Sequence, residues 1–284
     1  MGESGIVPRV HLVAGGFPVG SSAGHDIDFV RRELLSLLAL PAGVQTTVSN
    51  DFADLEKWLP GTHFLITYVA GPFLTHAQSD FVQGWLEAGG RWLALHGSSG
   101  GKAVPLSEGR PGRRMSKERH HAVLGAFFLN HPPIRAFQVD VRDPDHSITR
   151  GLPSSFSVED ELYLIELQQP DESRVLLTTS DLAVDDPAPR KFGFTYDEDS
   201  SVGEDGRRRV LAYERKTGAG SVVYVALGHC HTPTTNIQPF VDASVDPEGV
   251  TPLDFHGSWN APAFRQLLSN AMEWGLAGDS TSGS

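Results

Sequence analysis

Residues 89–97 read Gly-Gly-Arg-Trp-Leu-Ala-Leu-His-Gly, a short apolar run that ends on an imidazole. Bounded by glycines and lacking polar alternation, it has the form of a strand buried on both faces, as in a parallel sheet flanked by helices. Ligands of open α/β sheets bind beyond the carboxyl ends of such strands, so His96 stands where chemistry is expected.

The segments before it alternate in type. Val10–Ala14 is a strand-like run, and Asp26–Leu40 carries Phe29, Val30, Leu34, Leu37 and Leu38 at helical spacing, with Asp26 suited to the N-cap. Val44–Val48 alternates like a strand, Asp51–Leu59 fits a short helix, and His63–Val69 is a further buried run. Thr75 suits the cap of a helix that includes Phe81, Trp85 and Leu86 and stops at Gly89-Gly90. Strands separated by helices in this way predict an α/β fold: a flavodoxin-like three-layer sandwich around a mainly parallel sheet, joined by right-handed crossovers.

After residue 97 the pattern changes. Ser98–Met115 is rich in Gly, Pro and Arg and reads as a surface loop, while Ser116–Phe128 reads as a helix stopped by Asn130-His131-Pro132-Pro133. Phe137–Val141, Ser157–Leu167, Arg174–Thr179, Val210–Glu214 and Ser221–Leu227 then read as additional strands, and Ala261–Trp274 as a closing helix. The expected organisation is one domain over residues 8–277, flexible tails at 1–7 and 278–284, and a long inserted loop at 230–260.

Composition narrows the class. A chain of 284 residues that is 39% hydrophobic can bury one large α/β core. The excess of 35 acidic over 23 basic residues, a net charge of −12, opposes binding to nucleic acid or to an anionic membrane. Cys230 is the sole cysteine, so no intrachain disulfide forms, and Met-Gly-Glu-Ser-Gly at the start has no signal-peptide character. A cytoplasmic protein, free or as a homo-oligomer, is the expectation.

Several motifs occur in a telling order. Leu95-His96-Gly97 is followed by Leu124-Gly125-Ala126-Phe127-Phe128 with His131-Pro132, then His146-Ser147-Ile148-Thr149-Arg150-Gly151-Leu152, Asp160-Glu161-Leu162-Tyr163, and Gly228-His229. In this order they resemble the ThuA-like, or trehalose-utilisation, family over roughly residues 10–276. The resemblance implies a class I glutamine-amidotransferase-like fold and a link to the metabolism of trehalose and other sugars, 3-keto-glycosides included. It does not by itself establish a reaction.

The residues do not suit glutamine hydrolysis. A glutaminase needs a thiolate on a tight strand-to-helix turn, and here His96 takes that place while Cys230 lies far along the chain. Gly97-Ser98-Ser99-Gly100-Gly101 satisfies Gly-x-Ser-x-Gly with Ser99 at its centre, which keeps a serine hydrolase as an alternative.

Imidazoles and carboxylates carry the main reading: general acid–base chemistry on a small-molecule sugar. In it, His96 or His229 removes a proton beside a keto group and Glu161 protonates a leaving oxygen. His25, Ser98, Ser99, His131, Tyr163 and Trp259 are the expected substrate contacts. A zinc-type divalent metal is the cofactor alternative, with His131, His229 and His231 as ligands, since His229-x-His231 places two rings on one side of an extended segment. Strand alternation puts Asp160 and Glu161 on opposite faces, so one of them is expected to reach the crevice. Each histidine also has a structural explanation, which for His146 is a turn cap. A non-catalytic sugar-binding module is the remaining alternative, to be separated by whether His96, His229 and Glu161 face one pocket.

Overall fold

The computed structural model describes residues 7–16, 24–106, 112–183, 194–235 and 252–277. The tails expected at 1–7 and 278–284 lie outside the described residues apart from Val7, as does most of the 230–260 loop. Five strands follow the expected alternation: β1 (Arg9–Gly16), β2 (Gln45–Ser49), β3 (Phe64–Ala70), β4 (Arg91–Leu95) and, much later, β13 (Gly220–Val225). Between them run α1 (Ile27–Leu38), α2 (Leu55–Trp58) and α3 (His76–Glu87). Asp26 caps α1 by accepting the Phe29 N–H at 3.0 Å, and Thr75 with Gln78 forms a capping box on α3.

The rest of the chain adds β5 (Lys102–Pro105), β6 (Arg113–Ser116), α4 (Arg119–Leu124), β7 (Ala126–Asn130), β8 (Arg135–Val141), β9 (Ser155–Asp160), β10 (Leu164–Leu167), β11 (Ser173–Thr179), β12 (Arg209–Thr217) and α5 (Pro262–Leu276). One large sheet has the order β2-β1-β3-β4-β13-β12-β11-β8-β9. Pairings from β2 across to β13 are parallel and those from β13 across to β9 antiparallel, so the sheet is mixed, a correction to the mainly parallel expectation.

Alternate residues of the parallel strands feed two cores. Leu12, Ile66, Leu93 and Val223 pack on one face with α1 and α5, while Val13, Leu65, Trp92 and Val222 pack on the other with α2, α3 and α4. Burial on both faces is why these strands are apolar throughout.

Three local expectations are corrected. The Gly/Pro-rich stretch after residue 97 contains the antiparallel hairpin β5–β6. The helix expected over Ser116–Phe128 stops at Gly125, whose φ of 98° ends α4. Phe127 and Phe128 then point into different cores, which is strand alternation. The single strand expected over Ser157–Leu167 is broken after Asp160, and β10 leaves the main sheet to pair with β7. That break releases Glu161.

His146 is structural. Its Nδ1 accepts the Ile148 N–H at 3.2 Å and its Nε2 lies 3.1 Å from Glu214 Oε2, both side chains being buried. Burial pushes the Glu214 carboxyl up, but His146 and Lys216 outweigh it and draw it down to about 2. A depressed carboxylate stabilises the fold above its ordinary pKa, and that stability is lost as pH falls from about 4.5 towards 2. Urea midpoints are therefore expected to fall over this acid range in the wild type, with roughly 2 kcal/mol of that loss missing in Glu214→Gln.

Candidate functional site

β4 ends by turning His96 out of the sheet into a short 3-10 turn, His96–Ser99. Its φ of 43° makes it the sole non-glycine residue with positive φ among the described residues. A β-carbon on the next residue, Gly97, would lie 2.7 Å from the Val69 carbonyl oxygen, so the turn is as tight as a nucleophile elbow. The strained place belongs to an imidazole. Ser98 and Ser99 follow it, but both are buried: Ser98 bonds Thr67 and Ser99 lies 2.7 Å from the Tyr224 hydroxyl. The strain falls on His96 and not on Ser99, so the Gly-x-Ser-x-Gly match does not build a serine elbow.

The parallel strands bring other groups to the same edge. Beyond β13 the chain runs through Gly228 to His229, next to His96 with ring centroids 5.5 Å apart. Four successive antiparallel pairings return β9 to the direction of β4, so its last residue also emerges at this edge. Asp160 there accepts from the backbone N–H groups of Gly228 at 2.8 Å, His229 at 3.0 Å and Glu161 at 2.8 Å, and from the Ser258 hydroxyl. Because the strand stops at Asp160, Asp160 and Glu161 are both buried at the site, which corrects the alternation argument. Asp160→Asn would set an amide against donors that need an acceptor. It is expected to lower stability by about 3 kcal/mol and to perturb the His229 ring signals in NMR spectra.

Glu161 is the centre of the arrangement. Its Oε2 lies 3.5 Å from His96 Nε2 and 3.3 Å from His229 Nδ1, and its Oε1 lies 3.6 Å from His131 Nε2. Backbone carbonyls, which can only accept, fix the tautomers. His96 Nδ1–H donates to Ala226 O at 2.9 Å, and His131 Nδ1–H donates to Pro132 O at 2.8 Å. His231 Nε2–H donates to Pro252 O at 2.7 Å, which leaves its Nδ1 to accept the His229 Nε2–H at 2.8 Å. In their neutral forms, His96, His131 and His229 therefore all turn a bare nitrogen towards the same carboxylate.

His25 completes the group, with its ring 5.2 Å from that of His96 and 5.0 Å from that of His229. Tyr163 lies against His96 at 4.0 Å between ring centroids and stacks on His131 at 5.7 Å. Burial pushes the Glu161 carboxyl up, but His131, His229 and His96 outweigh it and hold it well below the usual carboxylate range. Burial is also the main reason His229 stays well below the usual histidine pKa.

The family follows from a comparison over most of this framework. A family model described as ThuA, trehalose utilisation, matches residues 21–242, well over half of the chain. The chain belongs to the ThuA family. A ThuA-like protein from Bacteroides uniformis ATCC 8492 is 17% identical, with a TM-score of 0.59 over 98% of this chain and 96% of the other. A second ThuA-like protein, from Parabacteroides merdae ATCC 43184, is 16% identical, with a TM-score of 0.55 over 98% and 93%. At such identities the likeness concerns the fold. The search among curated proteins found no match.

Within this ThuA chain, His25, His96, His131, His229, Glu161 and Tyr163 come together, and other expected site residues do not join them. Trp259 is in the core, donating from Nε1 to Gly228 O at 2.8 Å and packed on Phe264, so it is no sugar platform. His231 has both nitrogens engaged by His229 and Pro252, which corrects its place among the metal ligands. The sequence reading missed Asp160 as the anchor of the His229 segment, and Tyr224, whose hydroxyl donates to His96 O at 2.8 Å. No helix among the described residues is long and apolar enough to cross a membrane.

Proposed function

We propose that this cluster belongs to an enzyme that cleaves or isomerises a carbonyl-bearing sugar, a 3-keto-glycoside of the trehalose type, without glutaminase activity. The observation that carries the reading is the ring of three imidazoles around buried Glu161 at the strand ends. The trehalose-utilisation description of the matching family supports the sugar as substrate class. A single domain over residues 8–277 fits the reading, and the β2-β1-β3-β4-β13 order supports a flavodoxin-like origin for the parallel half.

A 3-keto group acidifies the hydrogen on C2. His131, whose side chain is 13% exposed and the most open of the three rings facing Glu161, is best placed to take that proton on Nε2. The C2 electron pair then forms the C1–C2 double bond as the bond from C1 to the leaving oxygen breaks. The imidazolium returns its proton to that oxygen, so atoms and charge balance. Glu161 stabilises the imidazolium during the step, a role that suits an ionised carboxylate better than the proton-donor role expected from the sequence.

The test incubates the protein with 3-keto-trehalose and simple 3-keto-glucosides and follows released sugar. His131→Ala is expected to slow turnover by about 10²–10⁴-fold. Equal turnover in the variant overturns the role of His131. Tight binding with no turnover of any keto-glycoside makes the protein a binding module.

A further inference from the structure

The ring nitrogens that backbone acceptors leave unoccupied converge on the Glu161 carboxylate. His96 Nε2 and His229 Nδ1 are buried and form no hydrogen bond, and both face Glu161 Oε2, itself an acceptor. Acceptors converge in this way only around something positive, either shared protons or a cation. We propose that His25, His96, His229 and Glu161 form a binding site for a divalent first-row cation, with Zn²⁺ the best match to three imidazoles and one carboxylate.

The spacing fits. Donors bound about 2.0–2.2 Å from a tetrahedral ion lie about 3.4 Å from one another. The distances here are 3.5 Å and 3.3 Å, and the donor atoms of all four residues lie within 4.8 Å of one another. The hydrogen bonds behind the rings are of the right kind as well. Metal-bound histidines donate their other N–H to a carbonyl or another acceptor, which fixes the tautomer and turns the lone pair to the ion. Ala226 O does this for His96, and for His229 the work passes through His231 to Pro252 O. His231 is therefore a positioning residue. His131, on the other carboxylate oxygen, stays free for the proton chemistry proposed above.

This inference is independent of the sugar reading and is tested without substrate. Wild type purified without chelator, and apo protein titrated with Zn²⁺ or Co²⁺, is read by elemental analysis and by the visible bands of bound Co²⁺. The expectation is one equivalent in the wild type, and less than about a tenth of that in His229→Ala and in near-isosteric Glu161→Gln. His231→Ala is expected to keep the site but weaken the metal about 10–100-fold, as loss of a supporting hydrogen bond does. His76→Ala, on an exposed helix position, is expected to match the wild type. Circular dichroism of each variant separates loss of ligand from loss of fold. No bound cation in the wild type, or equal binding by folded Glu161→Gln, overturns the site and leaves shared protons as its counter-charge. Full metal occupancy with no activity on keto-glycosides overturns the sugar reading alone.

Discussion

Glu161→Gln is expected to cut turnover of a keto-glycoside by about 10³-fold or more and, at neutral pH, to lower stability as well. The substitution keeps the shape of the side chain and removes its charge. Three rings converge on this carboxylate, so one change takes away the partner of any imidazolium formed during proton transfer and a donor to any bound cation. The amide also gives a nitrogen donor to the bare nitrogen of His96 or His229, tying up a lone pair that the wild type leaves available. Stability moves in the same direction. Glu161 is 6% exposed, and because His131, His229 and His96 hold its carboxyl well below the usual carboxylate range, the ionised form contributes stability above its ordinary pKa that an amide cannot supply. Single-turnover rates and thermal melts on the same preparation read both effects. A rate within a few-fold of wild type would remove Glu161 from the chemistry, and melts unchanged from the wild type would mean that its ionised form contributes nothing to the fold.

What the sequence made legible was the parallel half of the fold. Runs such as Arg91–Leu95 are apolar at every core position because each face meets helices, and that signal needs no partner information. The antiparallel half was harder to read. Gly125 converts what resembled one helix into a helix followed by a strand, and the alternation of Phe127 and Phe128 between cores is visible once that end is placed. The site was legible residue by residue more than in its roles. His96, His229 and Glu161 stood out as polar groups at strand ends, but the break after Asp160 that carries Glu161 inward depends on β10 leaving for β7. The partner of a ring nitrogen also lies outside local sequence. His231 looked like a ligand beside His229, yet Pro252 and His229 consume its nitrogens, whereas His25, from a distant loop, stands against both key rings.

Replacing His96 should separate strain from chemistry. Both His96→Ala and His96→Gly are expected to lose about 10³-fold or more in turnover, because either removes the ring that faces Glu161. Their stabilities are expected to differ in an unusual direction. Alanine normally exceeds glycine by about 0.4–1 kcal/mol, since glycine has more freedom to lose on folding. At a φ of 43° the order reverses, because a β-carbon in the left-handed region costs roughly 1–2 kcal/mol and glycine incurs none of it. Both variants open the same kind of space beside Tyr163 and lose the bond to Ala226 O, so these costs largely cancel between them. His96→Gly should thus be the more stable by about 1 kcal/mol, read from urea midpoints at equal slopes. The reverse order would mean that the backbone relaxes once the ring is gone, and that the ring imposes the turn. The expected order would mean that β4, Val69 and Gly97 impose a strained position which an imidazole occupies at a cost to stability, and retained activity in either variant would leave that cost without a functional reason.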